Sequence, residues 1–532
     1  MKKVYTAAFL AISALSVSAQ SAIDAYNLFP DDLRGTARFM SMAGAFGALG
    51  GDLSTLSQNP AGLGVYRSSE VGVTIDLDFQ SSKTMGSFTD SHTGFYCNNF
   101  GYVGSLYTGS DVMPTFSWGA AYQRKASFDR DFHGRFQSLP TSVSNYIASF
   151  TNGTDPSYLL VDNVQNPYQG ISTPSGMIYP DWLSILAYNA YMINPQGSSN
   201  NYSGLYDPSY GTTANSEFSV RERGYIDEYT INFGGNFVDK VYWGIGFGIT
   251  DLKWTQQAFY DEELQNARVP DYYATGTERG DGYFALDNFK QITGSGFNIK
   301  AGLIVKPIDE LRIGAAVHTP TWYSLNQGYD AGVDFSYSTG YDNGYDSTDW
   351  AYFGYKLRSP WRVILSAAGV IGGRFILSAD YQCEFYDAMH YSDSYGFDYS
   401  FENQDIKDYF QGSNTVRIGA EYRVTPAFSV RAGTSFTTTA VKDQASNQQI
   451  EIATSGTNPA YTFTSDTNYI TFGLGYRFGG FYIDGAYVHR SRESRYHPFT
   501  SFESMATSIS EIPTAKVSQN NNNVVLTLGY KF

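Results

Sequence analysis

The last eleven residues constrain this chain most. Val524, Leu526, Leu528, Tyr530 and Phe532 share one parity, and Val525, Thr527, Gly529 and Lys531 share the other. A two-residue period is the signature of a strand. It recurs upstream: Phe472, Leu474, Tyr476 and Phe478 oppose Gly473, Gly475 and Arg477, and Val416, Ile418, Ala420, Tyr422 and Val424 oppose Arg417, Gly419, Glu421 and Arg423. A soluble sandwich buries the apolar face and wets the charged one. A transmembrane barrel sets the apolar face on lipid and turns the charged one into the lumen. Alternation alone fits both.

Loop lengths separate the two. The alternation predicts seven hairpins, with strands at roughly 69–80 and 98–108, 113–128 and 222–236, 241–259 and 285–306, 310–325 and 349–371, 374–387 and 412–424, 428–440 and 464–478, and 481–492 and 522–532. Joints between hairpins are short, near Ser110, Val238-Asp239, Pro307, Gly372-Gly373, Pro426 and Gly479, whereas linkers within hairpins are long. Short turns at one end and long loops at the other describe an outer-membrane barrel, and an even strand count puts both termini at the periplasmic end. The expected fold is all-β: a 14-stranded antiparallel transmembrane β-barrel. Its C-terminal aromatic, Phe532, resembles the recognition signal of bacterial outer-membrane barrels.

The remaining sequence agrees. Residues 1–19 read as a signal peptide: Lys2 and Lys3, an apolar run from Thr6 to Leu15, and a Val17-Ser18-Ala19 cleavage site. No window is apolar for the roughly 18 residues that a spanning helix needs. The 44 Tyr and 37 Phe suit two aromatic girdles, and the formal charge of -16 argues against nucleic acid as a partner.

Ahead of the strands, residues 20–68 read as a plug. Gly35 to Leu63 is rich in Gly, Ala and Ser, without strand alternation and with too many glycines for a long helix. Small residues such as Gly44, Gly47, Gly50 and Gly51 permit close packing against a barrel wall; a merely ordered N-terminal arm is the plainer alternative. Gly35-Thr36-Ala37-Arg38, Met42 to Ala48, Asp52 and Asn59-Pro60-Ala61-Gly62-Leu63, in this order and just before the first strand, resemble the hatch of the long-chain fatty acid transporter (FadL-type) family. The resemblance implies fourteen strands (residues 69–532), a hatch ending in Asn-Pro-Ala, and a kink in the third strand that opens the wall beside it. Gly119, within the third strand, is the candidate kink. Asn59, Pro60, Ala61 and Gly119 are therefore the candidate gate, with the tripeptide expected near Trp118 to Ala121 and the Asn59 amide satisfying wall backbone.

Other features carry alternatives. In the longest loop, about 129–221, Trp182, Leu183 and Leu186 fit either the core of a helical lid or an external docking groove for an apolar ligand. Arg312, Arg374, Arg423, Arg477 and Lys531 face inward near the short turns; they fit anchors for the acidic hatch (Asp24, Asp31, Asp32, Asp52) or a site for an anionic headgroup. The acidic clusters at 342–346 and 393–408 lack calcium-loop spacing, so solvated loops are expected and no metal or cofactor is assigned. Cys97 and Cys383 are expected to be free thiols.

No nucleophile elbow, zinc pair, Walker loop or Cys-x-x-Cys pair occurs, and the six histidines are scattered, so no enzyme is expected. The expected role is passive uptake of small hydrophobic compounds, fatty-acid-like or aromatic, across the bacterial outer membrane. The partners would be outer-membrane lipid and a small hydrophobic ligand. The alternative is a non-transporting barrel that serves as a subunit or carrier in an outer-membrane secretion or assembly complex, with other outer-membrane proteins as partners.

Overall fold

The computed structural model describes residues 20–174, 176–197, 199–273, 276–340, 343–503 and 511–532. The signal peptide, 1–19, and Asp342 of one acidic cluster lie outside the described residues.

Fourteen antiparallel wall strands close into a barrel. They are β1 (Glu70–Thr84), β2 (Phe88–Tyr107), β3 (Thr115–Ser127, then Arg130–Phe136), β4 (Thr213–Phe237), β5 (Val241–Pro270), β6 (Thr277–Ile308), β7 (Leu311–His318, then Trp322–Tyr337), β8 (Ala351–Arg358, then Trp361–Ile371), β9 (Phe375–Phe385), β10 (Gly412–Arg423), β11 (Phe428–Thr437), β12 (Tyr461–Phe478), β13 (Phe481–His497) and β14 (Ala515–Lys531). The last strand pairs back onto the first, from Glu70 opposite Lys531 to Thr84 opposite Val517. The strand count and the short joints agree with the periodicity. Leu77, Ile249, Leu303, Leu365, Phe472 and Leu528 are exposed on the outer face, where lipid would cover them.

The hairpin linkers are shorter than the alternation implied. β1 and β2 meet through 85–87, where a linker over 81–97 was expected, and β5 runs on to Pro270. The ladder needs only backbone partners. Beyond the lipid band, outward positions such as Ser81, Lys83 and Thr89 meet water, so the strand continues while its apolar parity stops.

Six helices are relevant: α1 (Ala22–Asn27), α2 (Ala37–Ser41), α3 (Thr55–Gln58), α4 (Val143–Thr151), α5 (Trp182–Asn189) and α6 (Ser400–Tyr409). The first three belong to the lumen; α4 and α5 cap the loop end over the strand tops. Trp182, Leu183 and Leu186 are buried in that cap, with the Trp182 ring 5.4 Å from the Tyr329 ring. They do not form an external docking surface: α5 turns its apolar face down onto the barrel, as an amphipathic helix on a core does.

Phe532 lies at the short-turn end, where its N–H and C=O bond Ser69. The described N-terminus does not join it there. Residues 20–32 climb the lumen, so that Gln20 is buried toward the loop end and the Tyr391 hydroxyl donates to Ser21 O. There α1 completes the apolar core of the upper lumen with Tyr355, Tyr391 and Phe410.

Candidate functional site

Short helical pieces and tight turns build the hatch. Thr36 caps α2, its hydroxyl accepting from Phe39 N–H. Gly50 and Gly51, with φ of 66° and 67°, turn the chain between α2 and α3, in a region that costs glycine nothing. Gly44 serves the same turn, packed on Phe39, while Gly47 lies against the wall: a Cβ there would stand 1.9 Å from Ser366 Oγ. After α3, Pro60–Val65 forms a 3-10 turn with Asn59 at its cap.

Asn59 clasps the hatch to itself. Its Nδ2 donates to Gly47 O at 2.6 Å, and its Oδ1 accepts from Ala61 N–H at 3.0 Å. The expected bond from Asn59 to wall backbone is absent among the described residues. The tripeptide also faces β5 and β6 and not chiefly β3: a Cβ on Gly244 would meet Pro60 at 2.2 Å, and one on Gly302 would meet Asn59 Oδ1 at 1.8 Å. Leu56 of α3 takes the place beside β3, against Gly119.

These glycines continue as a belt. Inward Gly72, Gly314, Gly419, Gly433 and Gly473 touch Leu53, Gly47, Met42 and Ser41 of the hatch, each closer than 3 Å to where a Cβ would sit. The wall gives up side chains at this level so that the hatch backbone can press against it.

Ion pairs fix the hatch from both sides, mostly through residues other than the basic set expected. Arg34 reaches Asp76 (3.0 Å) and Asp78 (3.4 Å) on β1, and Arg38 reaches Glu421 (2.9 Å) on β10. Asp24 pairs with Lys290, Asp31 with Arg362 and Arg417, and Asp32 with Arg490. Asp52 stays within the hatch, accepting from the Thr36 hydroxyl. Among the expected anchors, Arg312 donates to Leu49 O at 2.6 Å, Lys531 pairs with Glu70 of β1, and Arg423 lies 3.8 Å from Glu421. Arg374 and Arg477 are exposed at the short-turn end. The anchors of the hatch's acids sit higher in the wall than the expected set, where the rising N-terminal segment meets it.

The β2–β3 ladder stops part-way up the wall and leaves a seam. β2 and β3 pair from Tyr107 opposite Thr115 up to Asn99 opposite Gln123, and there their ladder ends. Above it, β2 pairs only with β1, and β3 only with β4. Two irregularities meet at this point. In β2 the register slips so that Asn98 and Asn99 both face inward; in β3 it slips between Arg124 and Ala126, and the strand breaks at Phe128-Asp129. Bulges of this kind end pairing and re-aim side chains. Gly119 stands lower, in regular ladder opposite Val103 and Asn232. Side chains close the seam: the Tyr96 hydroxyl bonds Asp129, Arg34 and Arg124 cover the Tyr96 ring, and His133 meets Asp90 at 2.8 Å.

Two cavities of about 100 and 110 Å³ lie in the lumen against β3 above the end of its ladder with β2. The segment Phe29–Asp32 divides them. One is bounded by Ser127, Phe128 and Arg130, the other by Lys125 and Ala126. Both therefore touch β3 exactly where β2 no longer pairs with it. Phe29, Trp254, Tyr323 and Tyr386 supply apolar surface, and Glu228, Lys300 and Arg362 supply charge. The seam and these charges were missed from sequence, although the Asn98-Asn99 doublet, which breaks alternation in mid-strand, carries the signal.

No protein-family model matches the chain, and no curated protein matches it. Solved structures do. A Pseudomonas aeruginosa FadL homologue aligns over 94% of this chain and 99% of its own, at 13% identity and a TM-score of 0.52. The chain has that fold. The Ralstonia pickettii toluene transporter TbuX aligns over 94% of this chain and 98% of its own, at 13% identity and a TM-score of 0.45. The Pseudomonas putida toluene transporter TodX aligns over 94% and 99%, at 14% identity and a TM-score of 0.44.

Proposed function

We propose that this protein is a passive outer-membrane channel for small hydrophobic compounds, fatty-acid-like or aromatic, and that it releases them sideways into lipid through the β2–β3 seam. The carrying observation is the coincidence of cavity and seam: the lumen's open volume meets the wall where backbone pairing is missing. A barrel normally has no free edge, since each backbone group is paired around the ring. Here a stretch of wall is held by side chains, which can part without breaking a ladder. Below it, the hatch, pressed on the glycine belt and pinned by buried ion pairs, blocks an axial path. The short-turn end would face the periplasm and the capped loop end the outside. Transport then requires Phe29–Asp32 to shift, because it divides the two cavities.

Proteoliposomes test this directly. Uptake of a neutral aromatic tracer should scale with folded protein, and Tyr96→Ala, which removes the ring filling the seam, should raise the rate several-fold. A rate equal to that of empty liposomes, with the barrel folded, would defeat the proposal.

A further inference from the structure

The cap over the loop end is tied to the wall through a carboxyl group. Glu262 lies on β5 above the lipid band: its neighbours on the outer face are Asp261 and Glu263, which water would cover. Glu262 itself has inward parity and is fully buried. Its Oε1 accepts from Val143 N–H at 2.8 Å and from the Tyr260 hydroxyl at 2.7 Å. Val143 is the first residue of α4, so this bond joins the helix to a wall strand. The rest of the seat is apolar: Val143, Ile147 and Ala148 pack in the core that also holds Phe218, Tyr260 and Phe284. Glu262 Oε2 is buried without a partner, and so is Ser216 Oγ on the neighbouring β4, where Asn215 stands opposite Glu263.

Glu262 has no ion pair among the described residues. Arg268, farther along β5, is taken by Asp207, and Arg135 of β3 by Glu217 of β4. Asp261 adds repulsion. β6 sets Phe284 opposite, and the titratable groups of α4 and β13 in this core are the hydroxyls of Tyr146 and Tyr496. A neutral acid rests here at little cost. A carboxylate needs a cation or more donors than Val143 and Tyr260 supply. We infer that Glu262 is a proton-operated latch on the cap: protonated, it seats α4 on the strand tops and closes the loop end; ionised, it releases the helix and opens the outer entrance of the chamber. The meaning of an open cap rests on the channel reading; the latch itself rests on the seat of α4.

Burial pushes the Glu262 carboxyl up from its ordinary 4.5 to about 7. Because the folded value is the higher one, the stabilisation is complete below about pH 4.5 and is lost as pH rises through 7. Where opening restores the ordinary value, the opening equilibrium rises about tenfold between pH 6 and pH 8.

Amide hydrogen exchange on the folded protein in neutral maltoside detergent tests this, after correction for intrinsic rates and with β14 as internal standard. Amides of α4 should exchange about tenfold faster relative to β14 at pH 8 than at pH 6. Glu262→Gln keeps an acceptor for Val143 N–H and cannot ionise, so its α4 should stay protected at both values. No pH dependence in wild type, or the same dependence in Glu262→Gln, overturns the inference. Should that variant fail to fold, Tyr260→Phe serves: it removes a donor that favours the ionised form, so the midpoint must move to higher pH, and an unmoved midpoint refutes the latch. In proteoliposomes, uptake of a neutral aromatic tracer should rise over the same range in wild type and stay level in Glu262→Gln. Opening of α4 on schedule with no uptake at either pH would defeat the channel reading and leave the latch standing. Uptake with α4 equally protected at both pH values would leave the channel and refute the latch.

Discussion

Replacing Asn59 with Ala removes two buried hydrogen bonds at once, those to Gly47 O (2.6 Å) and from Ala61 N–H (3.0 Å). Neither partner gains a substitute: Gly47 O lies against Gly314 and Ala61 is fully buried. An unsatisfied buried group costs about 1–3 kcal/mol, so the variant should lose roughly 2–4 kcal/mol of local hatch stability, equivalent to about 30- to 1,000-fold faster local opening. The barrel ladder is untouched, so migration on a gel should still change on boiling. Amide hydrogen exchange followed by mass spectrometry reads the effect at Ala61 and Gly62, with β14 as internal standard. Asn59→Asp keeps the acceptor for Ala61 N–H and loses the donor, and should fall between. Unchanged exchange at Ala61 in the Ala variant would refute the view that Asn59 holds the hatch to itself. Faster exchange in β14 as well would show that the tripeptide supports the wall instead.

Gly302→Val should push the hatch inward, since a Cβ there meets Asn59 Oδ1 at 1.8 Å; overpacking of this kind costs about 1–3 kcal/mol, and brief trypsin treatment should cleave faster after Arg34 and Arg38. Phe532→Ser should lower the amount of folded protein in the outer membrane, measured by the unboiled gel band, while refolding from urea into detergent proceeds as in wild type. Burial, with Glu402 and Asp408 beside it, pushes the Asp405 carboxyl on α6 up to about 6. Because that value exceeds the unfolded one, the stabilisation is complete below about pH 4 and is lost as pH rises through 6. Amides of α6 should therefore exchange relatively faster at pH 7 than at pH 4 after correction for intrinsic rates, and Asp405→Asn should flatten the difference.

Strand number and the short joints were legible because lipid imposes parity on every crossing. Parity also named inward residues without naming their partners. Arg417 and Glu421 were on the correct face, yet which acid meets which base depends on how residues 20–32 thread the lumen, and nothing local in that segment says that it rises. The glycines beside Phe472 and Ile418 showed only as members of the inward parity, because their purpose lies in Ser41 and Met42, hundreds of residues away. Gly119 drew attention as the best breaker in β3, but the strand is broken by register at Lys125 and by Phe128-Asp129, and bulges leave little mark in composition. Trp182, Leu183 and Leu186 were ambiguous for a simple reason: an apolar helical face looks the same whether a ligand or a strand top covers it.

The central claim is that compounds leave through the β2–β3 seam. In a Cys97→Ser, Cys383→Ser background, Asp90→Cys with His133→Cys sets two thiols across the seam, where the native side chains meet at 2.8 Å. A short bis-maleimide then ties the strands together. A control pair, Lys83→Cys with Thr89→Cys, ties β1 to β2 across a continuous ladder. The account predicts that bridging the seam cuts neutral-tracer uptake by about tenfold or more, the barrier of a wall that can no longer part, while bridging the control leaves it unchanged. Uptake that persists at the unbridged rate with the seam tied shut would contradict it.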